Sequence, residues 1–305
     1  MELKIVEGVQ KIGTEFLDWF FSSITRFGEE IFFVCLFLIF YWCVSYNHAF
    51  KFALFYVVSV LFNSVLKLIV KRPRPWMASS AINNKLPATG LSFPSGHSQS
   101  ISAISTFVVT DVFASNKSSK KIKIASVVVA TVLCLVVGFS RIYLGQHYLT
   151  DVLAGLAIGC GVILLLEFIS RKIPDNIKQK IKLDFVLVAV LLIALIVLIV
   201  VGFCKLGLSH TKVLKVFRYA GMAIGAILGY LLSDRYVLNI ELTKMQKLIK
   251  VAVGFVITFG VYLLMCLIPI AIPFMAAFNV VVSAIIATFV YPLVFNKIIT
   301  RKKKD

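Results

Sequence analysis

Three short polar stretches interrupt a largely apolar chain: KLIVKRPRP (residues 67–75), PSGH (94–97) and SRIYLGQHYLTD (140–151). In the last of them His147 stands four residues before Asp151, so a helix starting near His147 sets imidazole and carboxylate on one face. Such a carboxylate fixes the imidazole tautomer and stabilises the charge it develops, leaving the other ring nitrogen free to attack or to accept a proton. A plain helix-entry histidine, with Asp151 favouring the helix dipole, accounts for the pair equally well. Arg141, six residues before His147, adds a planar fork of donors suited to phosphate oxygens.

PSGH places a turn directly before an apolar segment, so backbone N–H groups and the Ser95 hydroxyl gather at a helix N-terminus. That is a ready anion site, and Gly96 permits close backbone approach, although an ordinary Ser95 cap is the plainer alternative. His97 is a titratable ring at the mouth of a span, costly unless hydrated or paired, and is therefore a functional candidate. Lys67 falls in the last turn of an apolar segment, where snorkelling is the ordinary explanation. Arg74 lies between Pro73 and Pro75, which restrict its backbone, but Lys71 and Arg72 are equally basic and charge alone does not choose among the four. Phosphoryl transfer asks mainly for positioning and for neutralised oxygens, and basic side chains with a helix N-terminus can supply this without a metal. The stretches also lack the carboxylate cluster that a magnesium site needs, so no metal and no cofactor is expected.

The elements that must position these residues are membrane helices. Of the 305 residues, 60% are hydrophobic and 15% charged, against about a quarter charged in a soluble domain, and runs near the ~20 residues needed to cross a bilayer recur. Expected is an all-α membrane protein, a helical bundle of about nine transmembrane helices with an interfacial N-terminal helix. Residues 1–28 are amphipathic, with Phe16, Trp19, Phe20 and Phe21 interleaved among Glu15, Asp18, Thr25 and Arg26. Spans are expected near 30–46, 50–70, 96–113, 124–139, 148–168, 185–203, 219–233, 250–271 and 276–295. The chain divides accordingly into the amphipathic segment 1–28, a core 29–170 that carries the three stretches, and an accessory transmembrane region 171–305.

The net charge of +18 fits Lys and Arg flanking spans and meeting anionic headgroups, and no nucleic-acid partner is expected. With nine spans and the three stretches outside, 19 of the 32 basic residues fall on the opposite connections and the tail. That excess puts the stretches on the outer face of the cell membrane and the C-terminus in the cytoplasm. The six cysteines are scattered in apolar segments without ligand-like pairing, and the N-terminal stretch lacks the continuous apolar run of a cleavable signal peptide.

Read together, Lys-x6-Arg-Pro, Pro-Ser-Gly-His and Ser-Arg-x5-His-x3-Asp closely resemble the three motifs of the type 2 phosphatidate phosphatase (lipid phosphate phosphatase) superfamily, which includes glucose-6-phosphatase and the vanadate-dependent haloperoxidases. The resemblance covers roughly residues 30–170 and leaves the spans after 184 outside the shared core. It implies His147 as nucleophile forming a phosphohistidine, Asp151 as its orienting carboxylate, and His97 as donor to the leaving oxygen. It further implies that Lys67, Arg74, Ser95, Gly96 and Arg141 cradle the phosphate.

The implied activity is metal-independent hydrolysis of a lipid phosphate or diphosphate, of the undecaprenyl diphosphate or phosphatidate type, with the bilayer and a membrane lipid as partners. A phosphatase of a soluble phosphomonoester, resembling glucose-6-phosphatase, is the enzyme alternative. A non-catalytic lipid transporter or binding protein is the alternative of another class, disfavoured because binding alone requires no nucleophile.

Overall fold

In hydrocarbon every backbone N–H and C=O must be paired within its own segment, and the regular elements observed are accordingly all helices. The structure, a computed structural model, describes residues 1–88, 90–116, 118–174, 210–237, 240–267 and 273–301. They form helices α1 (Glu2–Gln10), α2 (Glu15–Ile24), α3 (Glu30–Cys43), α4 (Tyr46–Val70), α5 (Pro75–Ala78), α6 (Gly96–Ala114), α7 (Lys120–Tyr143) and α8 (Leu149–Lys172). After the expected span 185–203, which lies outside the described residues, come α9 (His210–Tyr236), α10 (Lys244–Cys266), α11 (Pro273–Ile285), a π-helical turn (Ile286–Val290) and α12 (Tyr291–Arg301).

Among the described residues five helical segments are long and apolar enough to cross a membrane: Tyr46–Ala78, Lys120–Tyr143, Leu149–Lys172, Lys244–Cys266 and Met275–Arg301. The expected spans near 30–46, 96–113 and 219–233 are not among these five. Helix α3 has 14 residues, about 21 Å at 1.5 Å per residue, short of a hydrocarbon layer of about 30 Å. Helix α6 is long enough but less apolar, because Ser98, Gln99, Ser102 and Ser105 are buried along it. A helix enclosed by other helices does not need the lipid-facing composition of α7, whose Val127, Val128, Val129, Val132 and Leu135 are exposed.

The chain falls into two compact units, residues 1–37 with 51–173 and residues 38–50 with 174–305. In the first, α6 packs on α8 backbone to backbone. A Cβ on Gly155 would lie 2.6 Å from the Ser95 carbonyl and 3.2 Å from the Gln99 nitrogen, and Gly159 faces Gln99 and Ala103 in the same way. This small-residue seam lets the start of α6 approach the start of α8. Helix α4 joins through buried amides: Asn63 Nδ2 donates to Gln99 Oε1 at 2.7 Å, and Gln99 Nε2 donates to the Ser59 carbonyl at 2.6 Å. The opposite ends of α4 and α8 are tied by the Lys51–Glu167 ion pair at 2.7 Å.

Helices α1 and α2 present one face to the rest of this unit. Val6 packs with Ile82, Ile142 and Val152, and Phe21 with Tyr143 and Leu144, while Phe16 and Trp19 remain exposed. In the second unit α9 packs along α11, with Gly221 and Gly225 seated against Ala277 and Val281. Residues 38–50 belong to the same unit: Trp42 Nε1 donates to the Ala287 carbonyl at 2.8 Å, and Tyr230 donates to Asn47 at 2.8 Å.

Candidate active site

The three polar stretches sit where α4 ends, where α6 begins, and across the turn from α7 to α8. Helix α7 closes with Leu144, Gly145, Gln146 and His147 donating backbone N–H groups to carbonyls of its last turn. Gly145 takes φ +73°, and a Cβ there would lie 2.5 Å from the Asn83 carbonyl, so the turn into His147 requires glycine. Ser95 N–H donates to the Asp151 carbonyl at 3.0 Å, which joins PSGH directly to the start of α8. The Ser95 hydroxyl caps α6 by accepting from the Ser98 N–H.

His147 is 2% exposed and Asp151 is fully buried. The imidazole Nδ1 lies 3.5 Å from Asp151 Oδ2 and 3.3 Å from Ser92 Oγ, and Nε2 lies 3.3 Å from Arg74 Nη1. Asp151 Oδ2 also accepts from the Tyr148 N–H at 2.9 Å and from the Ser92 hydroxyl. With Nδ1 on the carboxylate side, Nε2 is the nitrogen that faces the cations. Burial pushes the His147 pKa down to about 3; Asp151 works against this, while the charges of Arg141, Arg74 and Lys67 add to it. The ring is therefore neutral near pH 7, with a lone pair available at Nε2.

The cations are held mainly by oxygen atoms other than carboxylates. Arg74 donates from Nε to the Gly90 carbonyl at 3.0 Å and from Nη1 to the Gln146 carbonyl at 3.1 Å. Lys67 Nζ lies on the carbonyls of Pro94, Leu91 and Ser92 at 2.7, 3.0 and 3.4 Å, so it braces the loop that enters α6 while lending its charge to the centre. Arg141, 2% exposed, donates from Nη1 to Thr25 Oγ1 at 2.7 Å, and its buried Nε has no hydrogen-bond partner among the described residues. A buried guanidinium with an unused donor is half of an anion site. At Gly96 an added Cβ would come no closer to a neighbour among the described residues than 3.8 Å, from Asn63 Oδ1. His97 packs against Gly28, where a Cβ would lie 2.8 Å from the His97 Cβ, and it feels the charges of Arg141, His147, Arg74 and Lys67. All eight residues singled out in the sequence thus belong to one neighbourhood.

Several neighbours were not legible beforehand. Arg72 pairs with Asp151 Oδ1 at 2.8 Å, stacks 3.7 Å over the Tyr148 ring, and reaches Glu2 with its other Nη. Glu2 also accepts from Thr150 Oγ1 at 2.6 Å, so the first helix is fastened to the start of α8. Burial opposes the ionised form of Glu2, but hydrogen bonds from Thr150 and Arg72 hold its pKa below the usual carboxylate range. The fastening continues at Gln10, which donates to the Asn83 carbonyl at 2.8 Å, and at Asp18, which pairs with Lys85 at 2.5 Å and accepts from Tyr143. Ser92 and Glu2 carry no local motif, and Arg72 looks like its basic neighbours; only contacts over tens of residues distinguish them.

Residues 48–174 match the family model of the PAP2 superfamily, and residues 217–303 match that of the PAP2 superfamily phosphatase transmembrane extension. The chain belongs to the PAP2 superfamily. All eight residues of the candidate site lie within the PAP2 match, whereas Glu2 and Thr25, which touch Arg72 and Arg141, precede it. Phosphatidylglycerophosphatase B of Bacillus subtilis is 36% identical over 123 residues, 39% of this chain and 54% of that protein. Dolichyldiphosphatase of Saccharomyces cerevisiae is 32% identical over 105 residues, 34% of this chain and 44% of that protein. The chain thus spans about half the length of the curated relatives it matches. Among solved structures it resembles a transmembrane PAP2-type phosphatidylglycerolphosphate phosphatase from Bacillus subtilis, with 26% identity and a TM-score of 0.51 over 57% of this chain and 86% of that one.

Proposed function

We propose that this integral-membrane PAP2 protein is a metal-independent phosphatase that hydrolyses a lipid phosphate or diphosphate through a phosphohistidine on His147. The observation that carries the proposal is the placement of His147, with Nδ1 toward Asp151 and Nε2 toward Arg74, within the charge of the buried Arg141, whose Nε has no partner among the described residues. The Nε2 lone pair attacks phosphorus as the bond from phosphorus to the leaving oxygen breaks, and His97 gives its proton to that oxygen. Water, deprotonated by His97, then attacks phosphorus, the P–N bond breaks, and orthophosphate and neutral His147 are regenerated. Asp151 stabilises the cationic ring, while Lys67, Arg74, Arg141, Ser95 and the Gly96 backbone neutralise and orient the phosphate oxygens.

A lipid substrate is favoured because the site residues stand at the ends of membrane helices, where a headgroup enters while its tail stays in the bilayer. The relatives named above are a phosphatidylglycerophosphatase and a dolichyldiphosphatase, consistent with this substrate class. The proposed topology has nine spans with the site on the outer face and the C-terminus in the cytoplasm. Residues 29–170 are the phosphatase core, 1–28 an interfacial segment, and 171–305 an accessory membrane region.

The test is phosphate release by the purified protein in detergent with chelator present, on undecaprenyl diphosphate, phosphatidate, phosphatidylglycerol phosphate and glucose 6-phosphate. Turnover of lipids alone is expected, abolished in His147→Ala. Turnover of glucose 6-phosphate would move the substrate class to soluble esters, and dependence on a divalent cation would overturn the metal-free mechanism.

A further inference from the structure

A second buried cation lies in the unit formed by residues 38–50 and 174–305. Lys250 is 4% exposed, and its ammonium donates to Asn296 Oδ1 at 3.0 Å and lies 5.5 Å from the Phe295 ring centre. Among the described residues no carboxylate lies within ion-pair distance of it. An ammonium has three donors, and a neutral amide occupies one. Burying such a charge without a counter-ion is costly, and an ionisable residue inside a membrane helix defaults to a functional role.

Lys250 lines a cavity of about 340 Å³ together with Trp42, Ser45, Tyr46, Ser233, Lys247 and Asn296. The exposed Glu241 is the acidic residue of that lining, set against two lysines. The walls are built tightly. A Cβ on Gly254 would lie 2.6 Å from the Trp42 ring, so glycine admits the indole, and the Tyr291 hydroxyl donates to the Lys250 carbonyl at 2.5 Å. The Ala287 carbonyl that receives the Trp42 N–H belongs to the π-helical turn, an irregularity that recurs at functional positions. Lys250 is six residues past the start of α10, about 9 Å along the helix, a depth that a headgroup or a small anion reaches from the membrane surface.

We infer that this cavity binds a phosphate-bearing anion, with Lys250 as the buried counter-charge, the exposed Lys247 as a second cation, and the Asn296 amide holding the Lys250 ammonium in place. A lipid headgroup and free inorganic phosphate share this chemistry. The site is independent of the reading given for His147, and its test does not use turnover.

In the full-length protein carrying Trp19→Phe and Trp76→Phe, Trp42 is the sole tryptophan and reports from the cavity wall. Titration with inorganic phosphate and with dihexanoyl phosphatidylglycerol is expected to give a saturable fluorescence change with at least one of them. Lys250→Arg should retain it, and Lys250→Gln should weaken it about tenfold or more, the value of a charge-assisted hydrogen bond. A response to phosphate alone identifies a free-anion site; a response to the lipid alone identifies a headgroup site. No saturable change with either probe, or an unaltered response in Lys250→Gln, overturns the proposal. Because Lys250→Gln leaves a polar group buried, Lys250→Met is measured beside it by thermal unfolding. The anion should raise the midpoint of the parent more than that of Lys250→Met, and an equal rise in both overturns the assignment.

Discussion

The two compact units bury positive charge in different ways. In the first, Lys67 and Arg74 are fixed on backbone carbonyls of residues 90–94 and 146, and Arg141 is fixed on Thr25. Their charges converge on a neutral imidazole that is itself oriented by Asp151. In the second, Lys250 leans on one side-chain amide and faces a cavity. Carbonyls cannot titrate away or neutralise a cation as a carboxylate would, so the first arrangement keeps its positive potential and its geometry together. That is what electrostatic preorganisation requires, whereas the second has a charge held more loosely and suits reversible binding.

Replacing the group on which the first arrangement converges sharpens the contrast most. His147→Ala should lower phosphate release by roughly 10³-fold or more while the protein still inserts, because it removes the attacking nitrogen itself. Residual activity near the parent level would dissolve the distinction between the two units. Arg141→Ala should cost about 10²-fold in kcat, the scale of losing one preorganised donor, with Lys a poor substitute because it lacks the planar fork.

Arg72→Gln tests whether the first unit depends on its outer support. It should lower kcat by about tenfold with little change in KM, since it removes a partner of Asp151 without removing a phosphate ligand. Glu2→Gln should act in the same direction and more weakly, because Arg72 keeps its Asp151 bond. If Arg72→Gln raised KM alone, Arg72 would be a substrate contact instead of a positioning residue. The same variants also report through pH, where a merely structural loss would leave the limbs of the kcat profile unmoved.

A separate effect is on stability. His147 has its folded pKa pushed from the ordinary 6.5 down to about 3, so between those values the unfolded chain binds a proton that the folded one does not. Stability should therefore fall as pH drops through that window, by at most about 1.4 kcal/mol per pH unit from this group, and His147→Asn should flatten the slope. An unchanged slope in thermal unfolding would show that the imidazole is not held neutral.

Much of the candidate site is legible in the sequence alone. The i, i+4 spacing of His147 and Asp151, the Pro-Ser-Gly turn before α6 and the basic residues around Pro73 and Pro75 define the same neighbourhood that the fold assembles. Arg72 was not separable from Lys71, because both are basic side chains beyond the end of one helix. What separates them is that Lys71 takes φ +50° and is exposed, whereas Arg72 turns back to Asp151, 79 residues away. Amphipathicity described residues 1–28 as an interfacial segment but gave no hint that Glu2, Gln10 and Asp18 bond to the loops around the site.

The sequence by itself determined the helical membrane class and the residue types that can move a phosphoryl group, because hydropathy, helical period and short-range spacing are properties of neighbouring residues. Tertiary structure alone decided that Lys67 braces carbonyls, that Arg141 meets Thr25 while its buried Nε finds no partner among the described residues, and that α1 fastens Arg72. It also decided that Gly155 lets α6 and α8 touch at Ser95. These contacts join segments tens of residues apart, and the glycines and backbone carbonyls that make many of them carry no side-chain chemistry to announce the pairing.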